Sequence, residues 1–207
     1  MYNVVSANDL NIFESPARIA LVGNSGSGKT SLFVRLCEKY SSLFNSIIII
    51  GGDLTSIPGI PHVKRDDEFN PLTEDLEGKT LILFDDSIYD KKILRIAAES
   101  FTKIRHKNCS VILCSQNLFF NSNEYRTILH NLTHLFLLRI RCLKQLSLFA
   151  KSFLSKDQIE SFIEIYKKTV LKEKYNYIVV DYTKDFDSIL MIRSNIFGES
   201  YEKAFAL

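Results

Sequence analysis

The feature that most limits how this chain can fold is an eight-residue string, Gly23-Asn24-Ser25-Gly26-Ser27-Gly28-Lys29-Thr30. It satisfies G-x-x-x-x-G-K-[ST] at every fixed position. An apolar run at 17–22 precedes it. An amphipathic stretch at 30–43 follows, with Leu32, Leu36, Tyr40 and Leu43 at three- and four-residue steps. Strand, tight turn and helix in that order are what phosphate binding by backbone requires. The glycines let the chain wrap closely and aim N–H groups at phosphate oxygens. The start of the helix adds its positive end. Lys29 supplies a mobile point charge for the β- and γ-phosphates, and the Thr30 hydroxyl a ligand for Mg²⁺. Ser31 completes the expected binding set.

The rest of the chain continues the alternation. Apolar runs at 46–50, 80–84 and 109–114 read as strands buried on both faces. Stretches at 89–104, 123–129, 143–154 and 155–172 read as helices, the last opened by Ser155 and Gln158 as a capping box. Runs at 133–140, 175–182 and 188–193 read as further strands, the last two as a hairpin turning at Lys184-Asp185. Residues 1–15 give weak signals. Between 51 and 79, Pro58, Pro61 and Pro71 mark a long connection that carries one short helix at most. The expected fold is α/β: a P-loop fold with a mostly parallel central sheet, helices on both faces and an antiparallel C-terminal edge hairpin. At 207 residues, one domain is expected, with its core over 16–154 and a C-terminal helix and edge strands over 155–207.

Composition excludes several classes. Hydrophobic residues at 46% and charged residues at 24% are globular values, which argues against a disordered chain. No apolar run approaches the roughly 20 residues of a membrane span. No signal peptide is expected, which puts the chain in a reducing compartment. Cys37, Cys109, Cys114 and Cys142 are scattered and are expected in the core rather than as ligands or disulfides. A net charge of +2 means that any nucleic-acid surface must be a local patch.

Two further strands end in polar side chains. Thr80-Leu81-Ile82-Leu83-Phe84 runs into Asp85-Asp86. Strand C-termini face the ligand crevice of an open α/β sheet, so Asp85 is expected to hold Mg²⁺ and Asp86 to polarise the attacking water. Val111-Ile112-Leu113-Cys114-Ser115 runs into Gln116, whose amide is placed for the γ-phosphate or the lytic water. A GTPase is disfavoured, because N-K-x-D is absent and Ile88 stands where a glycine is needed. That leaves ATP. The loop carries no arginine of its own, so charge neutralisation in the transition state must come from elsewhere. Arg105, Arg126 and Arg141 are the candidates, acting on a neighbouring subunit's site.

These residues resemble a known family. Arg105-His106-Lys107-Asn108, followed by Gln116-Asn117-Leu118-Phe119, is similar to a signature of viral genome-packaging ATPases. These are the poxvirus-type and the Polinton/Maverick- and virophage-type members of the FtsK/HerA superfamily. Arg126-Thr127-Ile128 with Asn131, and Arg141 with Gln145, match later steps of that pattern. Cys142 departs from it where an acidic residue is usual, and Asp86 where many relatives carry Glu. The resemblance covers about residues 18–154.

It implies an ATP-hydrolysing, double-stranded DNA translocase, assembled as a homo-oligomeric ring on a capsid or vertex protein. It also implies a viral protein acting in the host cell, in cytoplasm or viral factory. Asp86, Gln116, Arg105 and Arg141 are then the catalytic candidates, and Thr30 and Asp85 the metal ligands. DNA contacts would go to phosphates, with Lys103, Arg105, Lys107, Lys167, Lys168, Lys172 and Lys174 available for them. The readings that remain beside it are an ATP-binding assembly switch with slow hydrolysis and a helicase-like ATPase of the same superfamily.

Overall fold

The computed structural model describes residues 3–7, 11–76, 78–86, 89–184, 191–197 and 202–206, with side chains at all of these except 3–7, 105, 202–203 and 206. The elements run β1 (Asn3–Ala7), β2 (Arg18–Val22), α1 (Lys29–Tyr40), β3 (Ser46–Gly51), β4 (Val63–Arg65), β5 (Thr80–Asp85), α2 (Lys91–Lys103) and β6 (Cys109–Ser115). They continue with α3 (Asn123–His130), β7 (His134–Leu137), α4 (Leu143–Ala150), α5 (Lys156–Tyr166), β8 (Ile178–Asp181), β9 (Ile192–Ser194) and β10 (Glu202–Ala206).

All ten strands form one sheet in the order β1-β10-β9-β8-β7-β2-β6-β5-β3-β4. From β7 to β4 the strands are parallel. From β7 to β1 they are antiparallel. The period of two divides each central strand between two cores. Ala20, Val22, Ile82, Phe84, Val111 and Leu113 pack under α2–α5. Ile19, Leu21, Leu81, Leu83 and Ile112 pack under Leu32, Phe33 and Leu36 of α1. Helices thus cover both faces, as β-α-β crossovers require.

Strand β6 lies between β2 and β5, so the strand before the glycine-rich loop and the strand ending in Asp85 are not neighbours. β6 is thus an additional strand between them. The antiparallel edge is also as expected, although the turn placed at Lys184-Asp185 runs into residues outside the described ones.

Several expectations need correction. No helix forms among the described residues of 52–79. Instead Val63–Arg65 adds a strand beside β3. α1 stops at Tyr40, and Leu43 lies on a following 3₁₀ turn, 42% exposed rather than on the apolar face. α5 stops at Tyr166, and Lys167–Leu171 is a π-turn. Its capping box is present: Gln158 Oε1 accepts the Ser155 N–H at 3.1 Å. Residues 3–7, within the weak lead-in, pair with β10, a strand that was not expected. Cys37, Cys109 and Cys114 are buried, but Cys142 is exposed just ahead of α4.

Candidate nucleotide site

The loop after β2 is closed by its own lysine. Lys29 is buried at the head of α1, and its Nζ donates to Gly23 O at 2.8 Å and Asn24 O at 3.2 Å. Gly26 and Gly28 hold φ of 71° and 99°, a region that L side chains resist, and this lets the loop turn back on itself. Gly23 has no room for a side chain, since a Cβ would lie 2.5 Å from Ser27 Oγ. The end of β6 and the segment after β7 brace the loop. Gly23 N donates to Ser115 O at 3.0 Å and Asn24 N to Arg139 O at 2.9 Å. Asn24 Oδ1 in turn accepts the Arg141 N–H at 3.1 Å.

Ser25, Gly26, Gly28, Lys29, Thr30 and Ser31 line a cleft of about 280 Å³ together with Asp85, Asp86 and Gln116. Three strands deliver these groups to one end of the sheet, as the sequence led us to expect. The residues fit a triphosphate with a divalent cation. Ser27 Oγ, within the loop, is buried with no hydrogen-bond partner. Thr30 and Asp85 supply hard oxygens on the same cleft.

Asp85 is 6% exposed. Burial raises its pKa, and the charge of Asp86 adds to the rise. The Cys114 thiol, the Lys29 ammonium and the Asp86 N–H act against it. The Cys114 thiol is itself held protonated by burial first and by Asp85 second. Asp86 is exposed and has φ 46°. Its Oδ1 accepts the Gln116 amide at 3.2 Å, so Gln116 is aimed at the water-activating candidate rather than standing alone. Tyr125 fixes the turn that carries Gln116, its hydroxyl 2.5 Å from Asn117 O and 3.0 Å from Ser115 Oγ.

The helix after β5 is capped by Asp90, which takes the Lys92 and Ile93 N–H groups, and this leaves the Asp85-Asp86 pair free of that duty. Of the arginines, Arg141 lies beside the loop with an exposed side chain. Arg126 is exposed on α3. Arg105 lies in the 3₁₀ turn Ile104–Lys107 before β6, at the opposite end of that strand from Gln116, and its side chain is outside the described residues. β6 has seven residues, so the two ends are roughly 20 Å apart. Arg105 is therefore remote from its own chain's cleft.

Three residues at the site carried no recognised signal. Cys114 bonds Asp85. Gly52 packs against the Asp85 carboxylate, where a Cβ would meet Oδ2 at 2.5 Å. Tyr175 lines the cleft from the segment before β8. For Gly52 the Gly51-Gly52 pair at a strand end was a readable cue. For Tyr175 there was none.

No family model matches the sequence, and no curated protein matches it by sequence. Solved structures do match. The DNA-packaging ATPase B204 from Sulfolobus turreted icosahedral virus superposes with a TM-score of 0.59 over 87% of this chain and 98% of its own, at 16% identity. The chain has the P-loop ATPase fold. The genome packaging NTPase B204 from Sulfolobus turreted icosahedral virus 2, in complex with AMP, gives 0.56 over 81% and 93%, at 18% identity. The cytoplasmic domain of the Thermomonospora curvata type VII secretion ATPase EccC shares the fold at 0.54 and 13% identity, over 91% of this chain and 25% of that one.

Proposed function

We propose that this chain is the ATPase of a viral genome-packaging motor, which hydrolyses ATP to move double-stranded DNA into a preformed capsid. The observation that carries this reading is the convergence of Lys29, Thr30, Asp85, Asp86 and Gln116 on one cleft across an inserted strand. Support comes from the fold shared with two proteins described as packaging ATPases, each covered almost end to end. Among the described residues no helix is long and apolar enough to cross a membrane.

In this reading the whole chain works as one ATPase unit. The loop from Gly23 to Thr30, with Ser31, binds the phosphates through N–H groups at the head of α1. Lys29 holds the loop closed through two carbonyls and places its charge beside the phosphates. Thr30 and Asp85 hold Mg²⁺, which supplies charge neutralisation at the phosphate oxygens when bound. Asp86 orients the attacking water and accepts its proton. Gln116 fixes the Asp86 carboxylate through its 3.2 Å bond and so ties that carboxylate to the state of β6. Arg141 and Arg105, at opposite ends of the sheet, are available to a neighbouring subunit's site in a ring, with the capsid or vertex protein as its base. Arginine supplied in trans is worth about 10³–10⁵ in rate for enzymes of this chemistry. DNA is gripped by its phosphates, without sequence preference.

The test is ATP turnover by the purified chain, with and without double-stranded DNA, beside Lys29→Ala. The expected result is hydrolysis that rises with DNA and falls at least about 100-fold in the variant. Residual turnover in a clean Lys29→Ala preparation at the wild-type level removes the site assignment. ATP binding with no DNA-dependent turnover favours the assembly switch.

A further inference from the structure

Tyr175 lies in the cleft with the phosphate loop and the acidic pair, yet neither the phosphate contacts nor the water chemistry employs it. Its side chain is 56% exposed. Its backbone has φ 68°, where a bulky residue is rarely found. Strain of this kind persists only where surroundings hold it, and it gathers at ligand sites. Here the holding contacts are visible. Asn176 Nδ2 donates to Thr169 O at 3.1 Å and to Glu173 Oε2 at 3.2 Å. Arg139 Nη2 donates to Leu171 O at 3.0 Å, while the Arg139 carbonyl accepts the Asn24 N–H. The segment carrying Tyr175 is thereby tied, through Arg139, to the segment after β7 that braces the loop.

The ring touches the loop itself. A Cβ placed on Gly28 would meet Tyr175 Cδ1 at 2.8 Å, so only glycine at 28 lets the aromatic lie against the start of α1. Phosphates occupy the N–H groups there, and the nucleoside of a bound nucleotide must leave the cleft past its rim. An exposed aromatic on that rim offers a π face to a flat heterocycle. The exposed Lys174 ammonium lies over the ring, 4.9 Å from its centre, so the ring already engages a partner through its π face.

We infer that Tyr175 is the platform on which the base of the bound nucleotide stacks. It thereby discriminates nucleoside triphosphates from bare polyphosphate. The inference rests on the nucleotide-binding reading of the cleft. Stacking accepts every base, since each has a π face, so the platform selects for a base rather than for adenine over guanine.

The chain contains no tryptophan, so Tyr175→Trp installs a single fluorophore at this position. ATP is expected to quench it, and saturating tripolyphosphate to leave it unchanged. By calorimetry, Tyr175→Ala is expected to weaken ATP about 5- to 150-fold, the equivalent of about 1–3 kcal/mol for a lost base–aromatic stack. Tyr175→Phe should stay within about twofold of wild type, as should tripolyphosphate binding by every variant. Tyr175→Gly, which suits φ 68° without strain, repeats the measurement should the alanine variant melt early. The proposal is overturned if the alanine and glycine variants lose ATP and tripolyphosphate equally, or lose neither, or if the tryptophan responds alike to both. Wild-type chain that binds neither compound removes the nucleotide reading and the platform with it. Wild-type chain that binds both, with an unchanged ratio in the variants, removes the platform alone.

Discussion

Tyr166→Phe removes one oxygen atom from a place where two backbone groups depend on it. The β7–β8 ladder ends at Leu137, so the chain beyond it must find partners elsewhere. Tyr166, fully buried on α5, provides them: its hydroxyl accepts the Ile140 N–H at 2.8 Å and donates to Leu138 O at 2.8 Å. Burial pushes this hydroxyl's pKa up to about 12, so it stays a donor across the working range. Phenylalanine fills the same space and orphans one donor and one acceptor. The gap it leaves is too small for water. Each orphaned buried group costs about 1–3 kcal/mol, so the variant should lose about 2–6 kcal/mol of a total that is typically about 5–15. The assay is urea unfolding, with a lower midpoint at unchanged slope.

A functional effect should accompany the loss. Residues 138–140 carry the carbonyl that holds Asn24 N, so the phosphate loop should loosen and KM for ATP should rise. Tyr125→Phe is the internal control. It removes a hydroxyl from a similar place, but Ser115 Oγ keeps its own 2.8 Å bond to Asn117 O, so the cost should be smaller. A Tyr166→Phe loss below about 0.5 kcal/mol, or one no larger than that of Tyr125→Phe, would refute the reasoning.

Two other outcomes are expected. Gly52→Ala should cost about 1–2 kcal/mol for its left-handed backbone and should also push the Asp85 carboxylate aside. The Mg²⁺ concentration for half-maximal ATPase should therefore rise about tenfold, and an unchanged metal dependence would show that Asp85 is not a ligand. Stability should fall as pH drops below about 6.5, the ordinary histidine value. Burial pushes the His134 pKa down, with Arg193 and Lys184 acting the same way against the pull of Asp181. The unfolded chain then binds a proton that the folded chain refuses, so stability rises with pH across that window. Urea midpoints at several pH values, compared with His134→Gln, check this: the variant should show a flatter profile.

The central sheet was legible because burial on both faces leaves a plain mark. β3, β5 and β6 are continuous apolar runs, and the loop between β2 and α1 is spelled out residue by residue. The edges were not. β1 pairs with β10 from the other end of the chain, so neither had a local partner to reveal it. β4 has only three residues, two of them exposed, too few for a period to show. At the site, spacing located Asp85, Asp86 and Gln116. It could not show that Gln116 bonds Asp86, since that depends on β5 and β6 lying side by side. Tyr175 was beyond reach for a simpler reason: nothing in a tyrosine flanked by lysine and asparagine announces a positive φ.

The long connection between β3 and β5 reaches the site. Gly51 is the register partner of Asp85, and the turn after it packs on that carboxylate. The turn is held by Asp67, whose Oδ1 accepts Gly51 N at 2.8 Å while the Arg65 guanidinium pairs with the same carboxylate and keeps it ionised. Arg65 ends β4, so the small edge strand reaches Asp85 through one ion pair and one glycine turn. On its other side Asp85 is separated from the phosphate loop by β6. Strands lie about 4.8 Å apart, so two steps open about 10 Å between β2 and β5, which adjacent strands would not leave. Gln116 leaves β6 at the floor of that gap, bonded to Asp86. The inserted strand therefore does two things at once: it sets the distance between β2 and β5 and leads into the residue that bonds Asp86.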